Sequence, residues 1–238
     1  EYLIEDRAGR VAIMIGAIEI EREFASFVES DSFSCLVGKG VVHQKAHVVR
    51  AYAPLGTRAA SRALAADLSR FGEGTHDPLK LRAFVAVFPR HAPRTELAFE
   101  KRLWAQLQRL HEHDDPGAPW DPSVSDDGDD PMFSFSFGGH AYFIVGLHAN
   151  SSRISRSFRW PALVFNPHAQ FGRLRGEGRF KRIQTAIRER EIAVQGTLNP
   201  NLADFGERSE ARQYSGRAVE ETWGCPFHRT NGPASELP

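Results

Sequence analysis

The chain is poor in sulfur. Its 238 residues include two cysteines, Cys35 and Cys225, and two methionines. Two cysteines are too few for a disulfide framework, and no CxxC pair offers a zinc site. An excess of one charge is also missing. Thirty Lys+Arg balance thirty Asp+Glu, which removes the electrostatic case for a nucleic acid or a membrane surface as partner. The longest apolar run, Val11–Ile18, falls far short of the roughly 20 residues that a membrane span needs. The signatures GxGxxG, GxxxxGKS/T, HExxH and GxSxG do not occur, so the phosphate-loop, dinucleotide, zinc-protease and serine-hydrolase classes lose their usual marks. What remains is 41% hydrophobic and 25% charged residues, the mix of a soluble globular protein, expected in the cytoplasm. Ten histidines and seventeen phenylalanines are its distinctive content.

Periodicity organises the chain into alternating elements. Phe24, Phe27 and Val28 fall at helical spacing, and the helix is expected to end before Asp31. Gly38 and Gly40 predict a loop after Phe33-Ser34-Cys35-Leu36. Ala46–Ala53 reads as a strand and the Ala/Leu-rich stretch 58–71 as a helix. Arg82–Phe88 is a strand. Thr95 then caps a helix with Phe99, Leu103, Leu107 and Leu110 on one face. Residues 114–130 form an acidic loop whose spacing fits no EF-hand, with cation binding by its aspartates the lesser alternative. Phe133, Phe135 and Phe137 alternate with small residues, Gly138-Gly139 marks a hairpin, and Tyr142–Val145 pairs back, both predicted as central strands. After a strand at 162–165, Asn166 is expected to cap a helix with Pro167 at its first position, and 179–191 is a further helix. Periodicity then fades. The prediction is one α+β domain over residues 1–238, with a mixed or largely antiparallel sheet packed by helices. A long irregular C-terminal segment follows, disordered from about residue 229.

Several residues carry candidate chemistry. His43 and His47 have i, i+4 spacing, but the flanking valines favour a loop leading into a strand, which separates them. His148 lies at a strand end, where a rigid sheet aims side chains; a turn histidine is the plain alternative. His168 lies in the first turn of a helix, whose dipole favours a neutral imidazole; a core histidine beside Phe171 is the alternative. Arg153, Arg156 and Arg159 follow Asn150-Ser151-Ser152, and arginine forks grip carboxylates and phosphates. Histidines, arginines and many phenylalanines together suit a flat, apolar, anionic metal complex such as heme, while a solvated helix face explains the arginines equally well. Cys35 and Cys225 default to buried structural thiols. A phenylalanine-rich surface would support a homodimer.

A set of ordered segments resembles the YqcI/YcgG family, and within it the branch of heme-dependent N-hydroxylases that includes the pre-guanitoxin N-hydroxylases and the heme protein making N-hydroxyarginine for D-cycloserine. The segments are Phe33-Ser34-Cys35, the stretch Asp130-Pro131-Met132-Phe133 through Phe137, Tyr142 through His148, and Ser151-Ser152-Arg153. They continue with Val164-Phe165-Asn166-Pro167-His168, Gln195-Gly196, Asn199-Pro200, Gln213-Tyr214-Ser215-Gly216-Arg217 and Trp223-Gly224-Cys225-Pro226. The family's first cysteine motif usually reads FPC, where this chain reads FSC. The resemblance implies noncovalent heme b and a monooxygenase of natural-product biosynthesis. Its substrate is an arginine-like or other amino-acid derivative with a guanidine or amine, and its electrons come from a separate donor. A non-catalytic heme carrier or sensor is the alternative. The iron ligand stays open among His148, His168 and His47, in that order of preference, with Arg153 and Arg156 expected on a heme propionate or a substrate carboxylate. Glu210, Asp204 and Glu207 are equal candidates to hold a guanidinium.

Overall fold

The computed structural model describes residues 3–5, 11–13, 16–74, 80–115 and 117–230. Two short strands, β1 (Leu3–Glu5) and β2 (Val11–Ile13), pair antiparallel. Then come α1 (Ala17–Glu29), α2 (Leu36–His43), β3 (His47–Ala51), α3 (Arg58–Glu73), β4 (Ala83–Val87) and α4 (Glu96–Glu112). The hairpin β5 (Phe135–Phe137) and β6 (His140–Leu147) leads to β7 (Ala162–Pro167), α5 (His168–Gly176), α6 (Phe180–Gln195) and the short α7 (Ala211–Tyr214). Strands β3 to β7 form one sheet in the order β3-β4-β7-β6-β5. Only β3 and β4 run parallel, joined through α3 as a parallel pair requires; the other pairs are antiparallel. The expected α+β domain with a mixed, largely antiparallel sheet is what forms.

Both sheet faces are covered, and the strand sequences show it. β4 reads Ala-Phe-Val-Ala-Val with every residue buried, the unbroken apolar run of a strand sandwiched between layers. Phe84 and Ala86 face α3 and α4, where they meet Leu64, Leu68, Phe99, Leu103 and Leu107. Val85 and Val87 face α1 and α2, where they meet Ile20, Phe24, Val28 and Val41. The α4 stripe is as expected, with Phe99, Leu103, Leu107 and Leu110 all fully buried and Thr95 Oγ1 accepting from Ala98 N at 3.1 Å.

Four sequence expectations are corrected. Gly38 and Gly40 lie within α2, whose first turn is capped by Cys35 Sγ accepting from Gly38 N at 3.4 Å. Gly38 is needed there because a Cβ would meet the Phe33 ring at 3.0 Å. β5 is an edge strand, not a central one. β7 continues through Asn166, whose Nδ2 donates to Phe143 O at 3.1 Å, so Pro167 is the cap and α5 begins at His168. None of the seventeen phenylalanines is fully exposed, and the expected aromatic surface reduces to half-buried rings such as Phe27, Phe33 and Phe180. Of the tail, Arg229 is placed by an ion pair with Asp126 and Thr230 N by His111 Nε2, whereas residues 231–238 lie outside the described residues.

The irregular C-terminal segment is a structural strap. Residues 209–216 are buried throughout. Tyr214 OH accepts from Phe135 N at 3.0 Å and donates to Glu210 Oε1 at 2.7 Å. Arg217 forks onto Glu100 through Nε and Nη2, each at 3.0 Å. The strap crosses β6 at Gly146, where a Cβ would sit 2.7 Å from Phe99 Cε1 and 2.8 Å from Tyr214 O. A backbone carbonyl cannot swing aside as a side-chain tip can. Gly146→Ala should therefore cost about 1–3 kcal/mol or more, read as a lowered urea midpoint with an unchanged slope; an unchanged midpoint would show that the strap is free to lift.

Candidate functional site

The sheet face that meets α1 and α2 is incompletely filled towards α5 and α6, which leaves a cavity of about 280 Å³, near the small end of ligand sites. Its body is apolar, with Val28, Phe143, Val145, Phe171 and Ile183 among the walls. A few polar side chains enter it: His47 from β3, His168 and Arg175 from α5, Arg188 from α6, and Asp204, Arg208 and Glu210 from the strap.

The helix α5 explains one end of the site. His168, Phe171 and Arg175 are spaced i, i+3 and i+7, so one helical face delivers all three to the cavity. His168 is 6% exposed and its ring lies 4.6 Å from that of Phe205. No hydrogen bond to its ring comes from the described residues. Burial, and after it the Arg175 charge, pulls the His168 pKa down to about 4. The imidazole is thus neutral at neutral pH, with a lone pair available. Arg175 stacks on Phe180 and Phe205 at 5.4 and 5.1 Å and has no carboxylate partner among the described residues.

His47 opens β3 with its side chain 6% exposed, and its nearest acid, Glu21, is 3.9 Å away. Both its ring nitrogens are buried without a hydrogen-bond partner. It also borders a more open groove lined by Lys45, Arg50 and Arg70. His43 ends α2, so the turn between them separates the pair as expected. Cys35 lines the cavity, and burial raises the pKa of its thiol. Cys225 is buried elsewhere, pushed up to about 12, and both thiols are free. Among the described residues, no three or more His, Cys, Asp or Glu cluster to hold a bare metal ion, the acidic loop included.

The three acids that were equal in the sequence are not equal in space. Asp204 is engaged by Arg188 at 2.8 Å and Gln184 at 2.7 Å. Glu207 is exposed and accepts from Asp204 N. Glu210 is 4% exposed on the cavity wall. Its Oε1 accepts from Ser134 Oγ at 2.6 Å and Tyr214 OH at 2.7 Å. Burial pushes its pKa up to about 8 against the opposing pull of Ser134, Tyr214 and Arg175.

Three other sequence candidates lie away from the cavity. His148 directly follows the last residue of β6, but it continues the face of Tyr142, Ile144 and Gly146 on the α4 side, stacked on Phe99 at 4.2 Å. Its ring nitrogens have no partner, and burial lowers its pKa to about 4. The unfolded chain binds this proton near pH 6.5 and the folded chain only near 4. Stability therefore falls as pH drops through that window. His148→Phe should lessen the loss, checked by thermal melts between pH 7 and pH 4; parallel curves for both proteins would refute it. Arg153 donates Nε and Nη2 to Glu191 Oε1 at 3.1 and 2.6 Å and Nη1 to Thr197 Oγ1 at 3.1 Å. Arg156 Nη1 donates to Tyr214 O at 3.0 Å, and the guanidinium lies against Gly216, where a Cβ would be 2.6 Å from Arg156 Cδ. The arginines at the cavity are instead Arg175, Arg188 and Arg208. The spacing of Arg175 from His168 was a signal in the sequence for the first of them.

An α+β domain with a partly open, imidazole-bearing apolar cavity on one sheet face is the class that fold and site define. The chain belongs to the YqcI/YcgG family, whose model matches residues 24–228. Comparison with curated proteins and with solved structures finds no match. Among the described residues, no helix is long and apolar enough to cross a membrane.

Proposed function

We propose that this cavity holds heme b and that the protein is a monooxygenase hydroxylating a nitrogen of a guanidine- or amine-bearing, amino-acid-like substrate. The observation that carries this reading is His168. It is a buried neutral imidazole on the cavity wall, on the same helical face as Phe171 and Arg175, and among the described residues its ring has no hydrogen bond and Arg175 no carboxylate partner. The chemistry of the lining fits the group, although the volume of about 280 Å³ is smaller than a porphyrin and the walls must part to admit one. Apolar walls suit a porphyrin, neutral imidazoles suit iron, and guanidinium groups suit propionates. His168 is the favoured ligand, and His47, also on the cavity wall, is the alternative. When bound, heme supplies the site at which dioxygen is reduced and one oxygen atom is inserted into an N–H bond, with electrons from a separate donor. The chain's own part is to exclude water with Val28, Phe143, Val145 and Phe171, and to orient the substrate through Arg175 and Glu210. The two free thiols fit a reducing cytoplasmic setting.

Two measurements test this. Hemin titration of the full chain should give a saturable Soret shift, and its absence would end the heme reading. Aerobic incubation of the loaded protein with a reductant and L-arginine should yield a product one oxygen atom heavier. Heme binding with no oxygenated guanidine or amine product would favour the carrier or sensor.

A further inference from the structure

We infer, resting on the reading of the cavity as the ligand site, that Glu210 seats the cationic nitrogen of the ligand and takes on that charge only by releasing its own carboxyl proton to solvent. The geometry is specific. Both fixed donors, Ser134 Oγ and Tyr214 OH, converge on Oε1, while Oε2 accepts nothing from the described residues. Tyr214 is itself pinned by Phe135 N, so the carboxyl cannot rotate away. The other acid on the cavity wall, Asp204, is spent on Arg188 and Gln184.

A buried carboxyl with no cation in hydrogen-bond contact keeps its proton, because ionising it in an apolar wall costs too much, and the through-space pull of Arg175 on Glu210 does not offset that cost. Its raised pKa of about 8 agrees. A guanidinium arriving at Oε2 supplies the missing countercharge, and the carboxyl proton then leaves. Guanidinium fits this seat better than ammonium, since it is more weakly hydrated and loses less on entering an apolar cavity. The charged groups around Glu210 are accounted for. Arg175 from α5 lowers its pKa, Tyr214 from α7 and Ser134 ahead of β5 hydrogen-bond to it, Arg188 is neutralised by Asp204, and Arg208 by Glu221. Arg175, without a carboxylate partner, is placed to take the opposite charge of a zwitterionic ligand.

The test is calorimetric binding of L-arginine to the full chain, with and without hemin, from pH 6 to pH 9 and in buffers of different ionisation enthalpy. The guanidinium stays charged throughout. Affinity should rise about tenfold per pH unit below pH 8 and then flatten, with about one proton released at pH 6–7. L-citrulline, whose side chain is neutral, should show neither effect. Glu210→Gln should weaken arginine binding and abolish the pH dependence. Ser134→Ala keeps the carboxyl but removes a bond that favours its anion, so the profile should shift to higher pH. That variant decides the matter if Glu210→Gln does not fold. A pH-independent affinity with no proton release, no arginine binding at any pH, or a wild-type profile in Glu210→Gln would overturn the inference. Loss of the Soret shift alone would fail the heme reading while leaving pH-linked arginine binding to decide on Glu210.

Discussion

His168→Ala should lose hemin affinity by more than about a hundredfold, because removing even a partner that merely orients a metal-bound imidazole costs about 10–100-fold. The physical ground is a neutral imidazole on the cavity wall whose ring accepts no hydrogen bond from the described residues. His168 is held neutral by burial and by Arg175, and iron would satisfy its lone pair. His47 is equally unpaired, but it lies on the edge strand and borders the open basic groove as well as the cavity. His47→Ala should therefore change hemin affinity by less than about tenfold, and His148→Ala, on the far side of the sheet, should leave it unchanged. Hemin titrations followed at the Soret band, with folding checked by circular dichroism, read all three. Strong loss in His47→Ala with retention in His168→Ala would exchange their roles. Loss confined to His148→Ala would place the heme on the other side of the sheet, whereas a ferrous-CO spectrum of the thiolate type would transfer the ligand role to Cys35 on the same cavity wall.

The second large effect concerns stability. Arg153→Ala should cost about 3–5 kcal/mol, the range for breaking a buried ion pair by removing one partner. Glu191 is 8% exposed and Arg153 7%. Burial alone would raise the Glu191 pKa, but hydrogen bonds from Ser34, Arg153 and Ser155 outweigh it and hold the carboxyl below its ordinary range. With Arg153 gone, Ser34 at 2.5 Å and Ser155 at 2.9 Å remain, and the Arg156 charge acts on the carboxylate only through space, without a hydrogen bond to it. A depressed carboxylate stabilises the fold above its unfolded pKa and loses that contribution as pH falls. The deficit of Arg153→Ala should thus shrink in acid. Arg153→Lys should recover only part, since an ammonium cannot donate from Nε and Nη2 together. Pairing Arg153→Met with Glu191→Leu should recover most of the loss. Denaturant unfolding at pH 7 and pH 4 measures each. The alternative from the sequence, a propionate or carboxylate contact, is separable. If the folded Arg153→Lys protein binds hemin or arginine ten- to a hundredfold more weakly, the fork serves a ligand; wild-type affinity confines it to the scaffold.

Much of the fold was legible because its signals are local. The α4 stripe of Phe99, Leu103, Leu107 and Leu110, its Thr95 cap and the Gly138-Gly139 hairpin each depend on residues a few positions apart. The misread elements depended on distant partners. Gly38 is helical because Phe33 packs over it, and Asn166 stays in the strand because Phe143 O holds its amide.

The site divides in the same way. The sequence by itself determined that the chain carries imidazoles at a strand end and a helix start, arginines near them, and segments resembling one family. It also determined the parity of β6, in which His148 shares a face with Gly146 and not with Val145. Only the tertiary structure decided which face the cavity occupies, since both faces of the sheet are apolar and a pattern of period two carries no sign for inside or outside. It alone decided which charges are free. Arg153 and Glu191 are 38 residues apart, Glu100 and Arg217 are 117 apart, and each pair cancels only where the chain folds back on itself. Whether a charged side chain is spent or available is a property of its neighbours in space, and at Glu210 those neighbours are a serine 76 residues away and an apolar wall assembled from separate elements of the chain.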